Sequence, residues 1–139
     1  MKKIEWLASE AELNDEKIKT VEDQWKIQFP NDFVECVCKN DGATPEPSTF
    51  DFEGRKGTSF GFLLSFRPDS EMYILDVYNR IKKALPKDVF PIADDPAGNF
   101  ICFDFRQDPN NPKVVFWDHE WDKVVPICDT FTELLNKLY

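Results

Sequence analysis

Apolar residues first recur at helical spacing after Asn14. In DEKIKTVEDQWKIQF, Ile18, Val21 and Trp25 fall at i, i+3 and i+7 with charged residues between them, and Asn14 is a good N-cap. Pro30 interrupts the pattern. NDFVECVCKNDG then predicts a second short helix with Phe33, Val34, Val37 and Cys38 on one face, ended by Gly42. ATPEPS predicts a loop, because two prolines one residue apart oppose both helix and ladder pairing. The period then drops to two: Phe50 and Phe52 alternate with Asp51 and Glu53, and SFGFLLSF continues as strand or close-packed turn.

A third amphipathic helix is predicted over SEMYILDVYNRIKKAL, capped by Ser70, striped by Ile74, Tyr78, Ile81 and Leu85, and stopped by Pro86. Strands follow at Val89 to Asp94, Asn99 to Phe105 and Val114 to His119. VVPIC is a fourth, placed at an edge by Pro126. Thr130 and Glu133 form a capping box for a last helix carrying Phe131, Leu134, Leu135 and Leu138. The order predicts one α+β domain over residues 1–139, with a mostly antiparallel sheet flanked by helices.

The stretch FPIADDPAGNFICFDF sets two acids and a turn between apolar runs. An EF-hand calcium loop wants a carboxylate at position twelve, but counting from Asp94 or Asp95 reaches Phe105 or Arg106. Asp95-Pro96-Ala97-Gly98 instead suits a type I turn, with Asp at i, Pro at i+1 and Gly at i+3. Gly98 and Asn99 are therefore assigned structural roles.

Composition adds that 139 residues are enough for one core without metals or disulfides, and that 13 Phe against 5 Gly fill it with rings. The net charge of -9 argues against nucleic acid and anionic membranes and favours a basic protein as partner. The N-terminal stretch has no apolar run of signal-peptide length, and no segment approaches a membrane span, which predicts a cytoplasmic protein with four reduced cysteines.

No contiguous catalytic motif, metal-ligand pattern or cofactor fingerprint is found. Cys36-x-Cys38 lies on a predicted helix, where the two side chains diverge, and Cys102 and Cys128 lie in apolar strands. Asp118 and the single histidine, His119, are strand neighbours and face opposite ways. Trp117 and Trp121 stand among Asp118, Glu120 and Asp122. Rings in an acidic rim suit a protein-binding surface, and a lid over the sheet explains them equally well.

IKTVEDQWKIQFPNDFVECVCKNDGA, FPIADDPAGNFICFDF, VVFWDHE and the closing TFTELLNKL together resemble the SUKH domain superfamily, from about Lys19 onward. Pro91, Ile92, Ala93, Asp95, Gly98, Asn99 and Asp104 fit its PIA-x-D-x-x-GN pattern and following acid. Pro30, Asp32 and Phe33 fit its entry to the second helix, and Asn40-Asp41-Gly42 matches its asparagine-glycine pair with one residue inserted. The resemblance implies an α+β fold and direct binding of a cognate toxin, as in bacterial immunity proteins. The alternative it implies is an intracellular scaffold or regulator without a toxin, and an enzyme built on distant carboxylates ranks last. The candidate partner contacts are Asp94, Asp95, Asp104, Trp117, Asp118, Glu120 and Trp121, with Asp51 and Glu53 as extensions of the same rim.

Overall fold

The structure, a computed structural model, describes residues 3–139. Helix α1 spans Asp15–Trp25, and the Asn14 side chain accepts from the Lys17 amide at 3.3 Å, so the predicted cap forms. The helix ends earlier than its apolar period, at Lys26, which turns left-handed (φ 58°) and frees the chain to enter α2, Asn31–Asn40. Asp32 then ties two distant elements together. Its Oδ1 accepts from the Phe33 amide (2.8 Å), and its Oδ2 accepts from the amide and hydroxyl of Thr132 (2.9 and 2.8 Å) at the start of α4, Phe131–Lys137.

Two short strands, β1 (Glu5–Leu7) and β2 (Thr44–Glu46), pair antiparallel. The second lies inside ATPEPS, where a loop was expected. Pro45 is tolerated there because the pairing is only three residues long and lies at an edge. β3 (Thr49–Phe52) and β4 (Arg55–Ser59) form a hairpin, with Phe50 and Phe52 buried as the alternation requires. The outer side of β3 is met by Tyr139, which exchanges two main-chain bonds with Thr49 (3.1 and 2.7 Å).

Helix α3 spans Ile74–Ile81, later and shorter than predicted. Ser70 caps no helix; its hydroxyl accepts from the Met72 amide (3.2 Å) and its carbonyl from the Tyr73 amide (3.3 Å), closing a turn ahead of the helix. Strands β5 (Val89–Asp94), β6 (Phe100–Asp104), β7 (Lys113–Asp118) and β8 (Lys123–Cys128) form an antiparallel sheet in sequence order, with β8 at an edge as Pro126 predicted.

The sheet buries both faces. Phe90, Ile92, Ile101, Phe103, Val114 and Phe116 join the main core, while Cys102, Val115 and Trp117 form a smaller cluster with Leu85 and Val89. Phe33 is at the centre, with ring centroids of Phe29, Phe103 and Phe131 at 5.1, 5.1 and 5.2 Å. Beside this core the buried Asp41 accepts from Ser65 Oγ (2.7 Å) and the Phe66 amide (2.9 Å), which fixes the segment leading to α3.

Candidate functional site: two braced turns beside a half-open groove

The Asp95-Pro96-Ala97-Gly98 turn forms as expected, with Gly98 N–H donating to the Asp95 carbonyl (3.4 Å) and Gly98 at φ 89°. Asp95 is 6 % exposed, and its carboxylate is used within the turn. Oδ1 accepts from the amides of Ala97 (3.0 Å) and Asn99 (2.7 Å), and Oδ2 from Asn99 Nδ2 (3.0 Å). Asn99 then reaches the neighbouring hairpin: its Oδ1 accepts from the His119 amide (3.0 Å) and lies 2.7 Å from His119 Nδ1. The β5–β6 and β7–β8 turns are thus joined through one buried amide side chain.

Asp118 holds the second turn from its other side. Its Oδ1 accepts from the amides of Glu120 (2.9 Å) and Trp121 (3.1 Å), while Arg55 Nη2 donates to Oδ2. Burial pushes the Asp118 carboxyl up, but these two amides and the Arg55 guanidinium outweigh it and hold the group below the usual carboxylate range. The same guanidinium lies 4.9 Å from the centre of the Phe116 ring. The Arg55–Asp118 pair therefore links the start of β4 to the end of β7. Asp118 and His119 serve different partners, although His119 lies in the turn just past the end of β7 and not on the strand as expected.

Between the β3–β4 hairpin and β8 lies a half-open groove of about 600 Å³. Its lining includes Phe52, Phe116 and Val125, the Arg55–Asp118 pair, and Glu53, Trp121 and Lys123. Trp121 is 77 % exposed, against 6 % for Trp117. Two tryptophans four residues apart thus play opposite parts. Trp117 belongs to the smaller core, stacked on Phe100 at 6.3 Å, with its indole N–H donating to Asp122 Oδ1 at 3.4 Å.

The structure gathers Glu53, Asp118 and Trp121 at the groove, with Glu120 on the same turn as Trp121. Asp51, on the adjoining hairpin, accepts from the Gly57 amide and the Tyr139 hydroxyl, both at 2.8 Å, and these bonds hold its carboxyl low. Asp94 is half-buried beside the first turn and accepts from the Phe62 amide (2.9 Å). Burial, aided by the neighbouring Asp95, pushes its carboxyl up to about 6. A Cβ on Gly61 would lie 2.1 Å from Asp94 Oδ1 and 3.0 Å from the Asp94 carbonyl oxygen, so a side chain there would displace the carboxylate from the Phe62 amide.

Asp104 is set apart from the others. It pairs with Lys113 at the opposite end of β6 and β7, and both its oxygens bind Arg106 (2.9 and 2.8 Å). Burial raises its carboxyl, yet Arg106 prevails and holds it low. Arg55, Phe52 and Phe116 had no place in the sequence-level site. Only the cross-chain pairing of hairpin and sheet brings them together, and no local pattern signals it.

Among the described residues no group of three or more His, Cys, Asp and Glu is placed to hold a metal ion, and no helix is long and apolar enough to cross a membrane. Residues 15–135 match the family model for SUKH_6, SMI1-KNR4 cell-wall. A curated relative, the SPbeta prophage-derived uncharacterized protein YokK of Bacillus subtilis (strain 168), is 38 % identical over 50 residues, 31 % of this chain and 24 % of the relative. The match thus spans about a quarter of that relative's length. Since the family match takes in all four helices' starts, the hairpin and the whole four-stranded sheet, the chain belongs to the SMI1-KNR4 family of SUKH domains.

Proposed function

We propose that this protein is an immunity protein that binds a cognate toxin protein in the cytoplasm and neutralises it by stoichiometric occlusion. The SUKH family includes toxin immunity proteins. The observation that carries the reading is Trp121, a large ring exposed to solvent on a turn whose backbone is fixed by Asp118, at a groove lined by both apolar and charged side chains. A ring presented on a backbone already ordered loses little further freedom on binding, which suits an interface anchor. The prophage origin of the relative fits a gene carried by a mobile element.

Binding rather than turnover is supported by the use made of the carboxylates. Asp95 is saturated within its own turn, Asp118 is held by Arg55 and two amides, and Asp104 is held by Arg106. What remains for a partner on this surface is Trp121 with Glu53 and Glu120. The net charge of -9 favours a basic partner and speeds its approach.

The test is co-expression with the toxin domain encoded in the gene neighbourhood. Growth rescue together with a 1:1 co-purified complex is the expected result. Rescue without a complex, or no rescue at all, would sink the reading.

A further inference from the structure

We propose that the groove beneath Trp121 is a receptor for an arginine side chain of the partner protein, stacked on the Trp121 indole and met at its edge by Glu53 or Glu120. The groove already holds one guanidinium in this manner. Arg55 lies over the Phe116 ring at 4.9 Å while its Nη2 donates to Asp118. One layer further out, the same kinds of group recur: an exposed indole, with carboxylates of Glu53 and Glu120 on the hairpin and turn that flank the groove.

The charges choose the occupant. With the Arg55–Asp118 pair cancelling and Glu53 balanced by Lys123 in the lining, Glu120 on the Trp121 turn leaves the groove mouth one negative group in excess, on a chain of net charge -9. A second copy of this chain would bring another -9 to a surface already negative, and a nucleic acid would bring phosphates. A cationic protein surface is the complementary one.

The edge strand decides the mode of contact. Among the described residues β8 has no strand on its outer side, but Pro126 offers no N–H and the β7–β8 register shifts between Val114 and Val115, so an added strand would find a broken ladder. Recognition therefore falls to side chains. Among cations, the flat and weakly hydrated guanidinium stacks on an indole while donating in its own plane to a carboxylate, and an ammonium does not combine the two as well.

This inference rests on the proposed function only in assigning the arginine to a toxin. It is tested on the full chain with two probes, acetylated and amidated hexa-arginine and hexa-lysine, by titration calorimetry at low and physiological salt. Hexa-arginine should bind about three- to tenfold more tightly than hexa-lysine. Trp121→Ala should abolish that preference and leave hexa-lysine unchanged, and the Glu53→Gln, Glu120→Gln double variant should weaken both probes. Circular dichroism of each variant checks the fold, which an exposed ring should not affect.

Equal binding of the two probes, or an arginine preference that survives Trp121→Ala, would overturn the receptor and leave diffuse charge attraction. So would a dimer, detected by sedimentation, that Trp121→Ala dissolves, since the occupant would then be a second copy. An arginine preference without growth rescue keeps the receptor and removes the toxin. Rescue that Trp121→Ala leaves at full strength, with a complex of unchanged affinity, does the reverse.

Discussion

Asn99→Ala should cut the connection between the two turns. The native side chain donates to the Asp95 carboxylate at 3.0 Å and accepts from the His119 amide at 3.0 Å, with His119 Nδ1 at 2.7 Å. A neutral hydrogen bond contributes about 1 kcal/mol net and one to a charged group about 1.5 to 3 kcal/mol, and the bonds to Asp95 and His119 are inside or half-inside the protein. Allowing for water at the His119 side, the loss comes to about 3 kcal/mol. With a urea m-value of about 2 kcal/mol/M for a domain of this size, the midpoint should fall by about 1.5 M.

The brace also predicts where the loss appears. Amide hydrogen exchange at His119, Glu120 and Trp121 should accelerate by about a hundredfold, more than in the core strands at the same denaturant. A midpoint within about 0.25 M of wild type, with His119 protection unchanged, would refute the reasoning, because the side chain would then be replaceable by solvent.

Two further outcomes follow from the titrating groups. The folded-state carboxyl of Asp94, at about 6, lies above its ordinary 3.8, so between these values the folded chain keeps a proton that the unfolded chain has released. Stability should therefore fall as pH rises through that window, and Asp94→Asn should lose this part of the slope; urea midpoints at pH 4.5 and 6.5 that change alike in both proteins would contradict it. Burial pushes the thiols of Cys36 and Cys128 up to about 12 and raises Cys102, while burial with nearby acids raises Cys38. In a disulfide-exchange assay at pH 8 all four should react slowly in the native protein and rapidly in urea, and one native thiol reacting like free cysteine would contradict the burial.

Much of the frame was legible because its signals are local. Asn14, Thr130 and the Asp95–Gly98 turn each act within a few residues, and the observed strands β5 to β8 lie within one residue of the apolar runs that predict them. β1 and β2 were not legible, since three-residue strands have no period and their pairing spans some forty residues of chain. Nor was the difference between Trp117 and Trp121. Alternation separates faces only when one face is wet, and β7 is buried on both, so the cluster around Leu85 and Val89 is needed to show which ring is covered. The groove was hidden for the same reason: Arg55 and Asp118 are 63 residues apart and meet only in the folded chain.

The brace divides labour between residues that lie side by side. Asp95, Gly98 and Asn99, by which the chain declares its kinship, are occupied in joining two loops, whereas Glu120 and Trp121 ride on top with their side chains turned to solvent. The residues that carry the family pattern and the side chains left open to solvent are thereby separate sets. Substitution of the outer pair therefore leaves every bond of the mount beneath it in place, because none of those bonds uses the Glu120 or Trp121 side chain.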